Sequence, residues 1–196
     1  MTLYKKRKKF DSHSKKLGSF FSKFGLSPNQ WTMVGFIPAI ITAYFLYVGS
    51  LSLAALFFII TIVVDVIDGS VARHMGKSTK LGAYLDTVVD RYVELIIIIG
   101  LLFVSMPVIL LPMYAWIFLF LFGSMMTTYV KAAAVEKGLT TKEIKGGLLE
   151  RTDRMVILLI GLLLGIVNPL YLSYVIILLA ILTNISALQR FSIATS

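Results

Sequence analysis

Six apolar stretches separated by short polar breaks run along the chain, at roughly 31–49, 52–75, 81–105, 108–134, 152–167 and 170–190. Most hold the roughly 20 residues a helix needs to cross about 30 Å of hydrocarbon. The fifth, near Arg154 to Val167, is short and needs its polar flank. Gly49-Ser50, Ser105-Met106-Pro107 and Asn168-Pro169 mark tight turns between stretches. Ahead of the first stretch, Phe10, Leu17, Phe20, Phe21 and Phe24 recur at helical intervals, with Lys15, Lys16 and Lys23 among them. That spacing predicts an amphipathic helix lying in the interface with its lysines toward anionic head groups, rather than a structureless basic tail. The basic run Lys5–Lys9 is followed by polar residues to about position 30, which does not fit a cleaved signal peptide. The pattern predicts an all-α polytopic membrane protein with six transmembrane helices over 31–190. These follow a basic interfacial segment at 1–30, and the whole forms one domain over 1–196.

Composition agrees. Of 196 residues, 58% are hydrophobic and 15% charged, too apolar for a soluble domain of this length. The absence of cysteine excludes a disulfide, a thiol nucleophile and a cysteine-bound metal. Two histidines, His13 and His74, argue against a histidine-rich zinc site. A net charge of +9 fits nucleic acid as a partner, but its placement favours a bilayer surface, and no nucleic-acid partner is expected. Counted from an intracellular N-terminus, all 19 basic residues fall on one side, which predicts cytoplasmic termini in the cell membrane. All 10 acidic residues fall there too. A transporter keeps ionisable groups along a path across the bilayer. The expectation here is a polar cavity open only to the cytoplasmic interface. A divalent-cation transporter is the rival class.

The informative chemistry lies between Asp65 and Asp90. Asp65, Asp68 and Ala72 share one helix face, and Gly82, Asp86 and Asp90 share a face of the next helix. Four carboxylates brought together repel, and two divalent cations cancel their charge. All-oxygen ligands point to magnesium, manganese or calcium rather than zinc. Paired metals are a common solution for displacement at phosphorus. Arg73 adds a planar fork suited to phosphate. Gly69 and Ala72 clear bulk beside Asp68, and Gly82 does so one turn before Asp86. The structural alternative pairs Asp65 and Asp68 with Arg73, and Asp86 and Asp90 with Arg91. Two arginines cannot neutralise four aspartates, so that network leaves unpaired buried charge. Glu94 is read as a structural partner of Arg91, Met125-Met126 as gap filling, and Trp31 and Trp116 as interface anchors.

The run D-x-x-D-G-x-x-A-R-x8-G-x-x-x-D-x-x-x-D resembles the signature of the CDP-alcohol phosphotransferases at every defined position. The resemblance implies an enzyme that moves a phosphatidyl-type group from a CDP-lipid to a hydroxyl acceptor and releases CMP. It implies that Asp65, Asp68 and Asp86 hold one Mg2+ (Mn2+ a possible substitute) and that Asp65, Asp86 and Asp90 bear on a second. Asp90 resembles the base that takes the acceptor's proton. Gly69, Ala72, Arg73, Thr79 and Gly82 fall where the family contacts CDP, and Pro28, Asn29, Gln30 and Trp31 resemble a further nucleotide-lipid contact. The family is usually homodimeric.

A second polar cluster bears on the acceptor. Lys131 closes the fourth span, Arg151 and Arg154 open the fifth, and Arg190 ends the sixth. Four cations suit a second phosphate, through charge-assisted hydrogen bonds, better than a free polyol. The arrangement Tyr129-Val130-Lys131-Ala132, a glycine pair, Glu150-Arg151-x-x-Arg154 and Gln189-Arg190 is similar to the phosphatidylinositol-phosphate synthase branch, whose acceptor is inositol 1-phosphate. Its archaeal counterpart uses a CDP-archaeol donor. Ala133 stands where actinobacterial members often carry a second arginine. Phosphatidylglycerophosphate-type synthesis, or transfer from CDP-inositol to inositol phosphate, are the related alternatives.

Overall fold

The computed structural model describes residues 16–77, 79–140 and 147–195. Lys5–Lys9, Phe10, Lys15, Lys142 and Lys145, used in the charge and periodicity arguments above, lie outside them. Residues 16–22 are helical. Among the described residues seven helices follow: α1 Pro28–Val34, α2 Phe36–Tyr47, α3 Leu51–His74, α4 Lys80–Leu101, α5 Met113–Glu136, α6 Arg151–Val167 and α7 Pro169–Thr195. Among the described residues there is no strand, and Ile109 and Leu111 form an isolated bridge.

The fold is that of an all-helical membrane protein. Among the described residues, four helical runs are long and apolar enough to cross a bilayer: Pro28–Tyr47, Leu51–His74, Met113–Glu136 and Pro169–Thr195. The other two expected spans differ for physical reasons. α4 carries Asp86, Asp90, Arg91 and Glu94. α6 has 17 residues, about 25 Å at 1.5 Å per residue. Hydroxyl side chains inside the apolar helices are satisfied locally. Thr42, Thr61, Ser70 and Thr183 each donate to the carbonyl four residues earlier, at 2.7–3.0 Å.

The chain divides into two compact units. The first comprises the chain up to Thr42 together with Leu56–Ile97. Its core contains Trp31, Ile67 and Val71, with Phe21, Leu26, Val34 and Met75 packed against them. α1 starts three residues ahead of the apolar stretch because Ser27-Pro28-Asn29-Gln30 is a capping box. Gln30 N donates to Ser27 Oγ (3.3 Å), Ser27 N donates to Gln30 Oε1 (2.8 Å), and Pro28 supplies a preset first turn. Trp31 is therefore a core residue, not an interface anchor. Phe21 meets it edge-on at 5.4 Å between ring centroids. Residues 16–22 dock on the end of α3 through Gly18, where a Cβ would collide with the Ser70 carbonyl oxygen and lie 2.7 Å from His74 Cβ. Phe20 on this segment and Phe24 just after it stay exposed.

The second unit comprises Ala43–Ala55 and Ile98 onward. There α5, α6 and α7 pack through small residues. A Cβ on Gly123 would stand 2.5 Å from Thr183 Oγ1 and 2.7 Å from Asn184 Nδ2. Those atoms are committed: Asn184 Nδ2 donates to the Leu119 and Ala180 carbonyls at 2.9 and 2.8 Å. Gly123→Val is expected to destabilise the protein by about 1–3 kcal/mol through overpacking, read as a lower midpoint of thermal unfolding in detergent.

Candidate active site

In the first unit, α3 and α4 bring the predicted carboxylates together. Asp65, Asp86 and Asp90 each offer an oxygen, and these three oxygens lie within 4.8 Å of one another. Three like charges at that distance repel by on the order of 3 kcal/mol per pair at an effective dielectric of 20. The donor set is entirely carboxylate oxygen and suits a hard divalent cation. Asp90 also stands 3.8 Å from Arg91, a loose ion pair. Asp68, 7% exposed, is not one of the trio. It faces a neighbouring cavity of about 290 Å³ that Asp86 also lines.

That cavity collects most of the residues assigned to CDP: Pro28, Asn29, Gly69, Ala72, Arg73, Thr79 and Gly82. The glycines give clearance to polar groups. A Cβ on Gly69 would come within 3.3 Å of Arg73 Nη1, and one on Gly82 within 3.2 Å of both Asn29 Oδ1 and Thr79 Oγ1. Arg73 Nη2 donates to Ser70 Oγ at 3.3 Å. Thr79 caps α4, its hydroxyl accepting from Gly82 N at 3.0 Å. The first turn of α4 lines the cavity through Thr79, Gly82 and Ala83, so the positive end of the helix dipole lies at its wall, an arrangement suited to phosphate.

Two assigned residues lie elsewhere. Gln30 is occupied by the capping box, and Trp31 is buried in the core. The cavity also takes in Thr32, Lys77 and Ala83, which the sequence reading did not single out. Thr32 has a retrospective signal, since it stands three residues after Asn29 on the same face of α1. Lys77 is visible only as one more basic residue after α3.

In the second unit, α5, α6 and α7 gather the other cations around residues 127, 149 and 150. Arg190 is 2% exposed; Nη1 donates to the Thr127 carbonyl at 2.9 Å and Nη2 to the Leu149 carbonyl at 3.4 Å. Arg154, 1% exposed, stands 3.5 Å from Thr127 Oγ1. Arg151 is half-buried at the first turn of α6. Glu150 joins two of these cations, with Oε2 3.1 Å from Arg190 Nη2 and 3.8 Å from Lys131 Nζ. The segment before it is strapped to α7. Leu148 N donates to Gln189 Oε1 at 2.9 Å and Leu149 N to Ser186 Oγ at 3.0 Å. Gly147, at φ +101°, passes so close that a Cβ would lie 3.1 Å from Arg190 Nε.

Residues 26–186 match the CDP-alcohol phosphatidyltransferase family. The chain belongs to that family. It is 31% identical over 190 residues to the archaetidylinositol phosphate synthase of Pyrococcus horikoshii, covering 96% of this chain and 94% of that one. The phosphatidylinositol phosphate synthase of Mycobacterium tuberculosis, solved with CDP-DAG bound, superposes with a TM-score of 0.79 at 25% identity. It covers 93% of this chain and 94% of its own. The same enzyme in complex with manganese and citrate gives 0.80 at 26% identity, over 93% of this chain and 89% of that one. The protein is thus a membrane-bound CDP-alcohol phosphotransferase of phospholipid biosynthesis, and the transporter reading falls. The manganese complex and the Asp65, Asp86 and Asp90 cluster agree on a divalent metal.

Proposed function

We propose that the protein transfers a phosphatidyl-type or archaetidyl group from a CDP-lipid to the hydroxyl of inositol 1-phosphate and releases CMP. The observation that carries the donor half is the convergence of Asp65, Asp86 and Asp90 beside a cavity walled by Arg73 and the first turn of α4. The acceptor half is supported by the Lys131 and Arg190 cluster and by relatives that make inositol-phosphate lipids.

Asp65, Asp86 and Asp90, with Asp68, would hold magnesium, as two ions or with manganese in its place. The bound cations supply charge neutralisation for the diphosphate and the departing CMP. Arg73 and the positive end of the α4 dipole bind and orient the diphosphate, while Gly69 and Gly82 leave the space it needs. Asp90 takes the proton of the acceptor hydroxyl. A new bond forms from that oxygen to the lipid-linked phosphorus, the bond from this phosphorus to the CMP oxygen breaks, and CMP leaves as the anion. Lys131, Arg151, Arg154 and Arg190 serve the acceptor's own phosphate, because charge-assisted hydrogen bonds to cations hold and orient it. Six spans, a site facing the cytoplasm and a homodimer complete the proposal. The basic residues after α3 and α5 and at the end of α7 support that sidedness.

The test is CMP release by purified protein with a CDP-lipid, Mg2+ and one acceptor at a time. Inositol 1-phosphate is expected to exceed unphosphorylated inositol by at least about tenfold, the worth of one charge-assisted contact, and to be used faster than glycerol 3-phosphate, which shares the phosphate and differs only in its polyol. Equal rates with unphosphorylated inositol would remove the acceptor assignment, and a requirement for CDP-inositol would move the donor assignment.

A further inference from the structure

We infer that Glu150 is a specificity-determining residue that occupies the position of the acceptor's phosphate until a phosphorylated acceptor displaces it. The inference rests on the acceptor assignment above. A single oxygen of Glu150 lies 3.1 Å from Arg190 and 3.8 Å from Lys131. One anionic oxygen shared by two cations from different helices is what a phosphate oxygen would provide there. The partners differ in freedom. The Arg190 side chain is 3% exposed and pinned by the Thr127 and Leu149 carbonyls, while the Glu150 side chain is 53% exposed. The cation is therefore fixed, and the carboxylate can swing out into water.

The exchange favours phosphate. A half-exposed carboxylate pair is weak. A phosphate monoester brings about −1.5 to −2 charges and three strong acceptor oxygens. An unphosphorylated polyol has nothing with which to displace Glu150, so the glutamate discriminates against it as well as keeping the cations neutralised before binding. The strapping of Leu148 and Leu149 to α7, and the bond from Glu150 N to Asp153 Oδ2, fix the backbone of this segment, so the displacement is a side-chain rotation that also gives up the Glu150 capping contact with the Asp153 amide.

The experiment compares Glu150→Gln with the unaltered protein, using inositol 1-phosphate as acceptor and inorganic phosphate as competitor. Removing the charge but keeping the shape is expected to lower the acceptor KM about threefold or more, the scale of a weak exposed ion pair. Inhibition by inorganic phosphate should tighten by a similar factor, and the CDP-lipid KM should stay within about twofold. Glu150→Ser, which cannot reach either cation, is expected to move both values the same way and serves if the glutamine variant is unstable. An acceptor KM that is unchanged or higher, in protein that keeps its donor KM and its unfolding midpoint, overturns the inference. Arg190→Ala separates the two claims. If it leaves the acceptor KM unaltered, the acceptor assignment itself is wrong. If it raises that KM while neither Glu150 variant lowers it, only the role of Glu150 is wrong.

Discussion

Asp90→Asn is expected to lower turnover by about two to four orders of magnitude, the usual contribution of a positioned general base, with CDP-lipid still bound. The geometry separates the two effects. Asp65 and Asp86 remain as charged donors in the trio, and the asparagine carbonyl keeps an oxygen at the third position. The cavity walls at Arg73, Thr79 and Gly82 are untouched. What the amide cannot do is accept the acceptor's proton. Single-turnover CMP release, beside a titration of CDP-lipid in Mg2+, measures both halves. Parallel losses of binding and turnover would leave Asp90 as a metal ligand only and remove its role as the base. Unchanged turnover would remove it from the chemistry.

Arg190→Ala is expected to raise the acceptor KM by about thirtyfold or more, because truncating one member of a buried charge pair costs about 2 kcal/mol or more. The guanidinium fork is fixed by two carbonyls and exposes little besides its contact with Glu150. Arg190→Lys keeps the charge but loses the fork, and should fall between. The CDP-lipid KM is the control, since the donor cavity contains no residue of α7. Equal losses for donor and acceptor would contradict a dedicated phosphate pocket.

The helices and the clustered carboxylates were largely legible in the chain because both are local signals. Apolar runs bounded by Gly49-Ser50 and Asn168-Pro169 became α2, α3, α6 and α7 with ends shifted by a few residues. Helical spacing alone put Asp86 and Asp90 on one face of α4, and the structure adds Asp65 to them. What failed depends on contacts distant in sequence, or on a local motif with two uses. Ser27-Pro28-Asn29-Gln30 fits a helix cap as well as a nucleotide contact, and Gln30 is used for the cap. Trp31 looks like an interface anchor until Phe21 and Ile67 cover it. The expected span over α4 does not stand out by hydropathy because Asp86, Asp90, Arg91 and Glu94 interrupt it. Glu150 was visible only as part of a basic motif. Its contacts with Lys131 and Arg190, 19 and 40 residues away, come from packing that no periodicity announces.

The central claim is that Asp65, Asp86 and Asp90 hold the cation that grips the donor's diphosphate. Crystals grown with Mn2+ and a CDP-lipid, measured at the manganese absorption edge, address it directly. The expected result is anomalous density among those three carboxylates and in contact with diphosphate oxygens, lost in the Asp65→Asn/Asp86→Asn double variant. Nucleotide bound in the cavity with no manganese between it and the aspartates, or carboxylates paired only with arginines, would contradict the account.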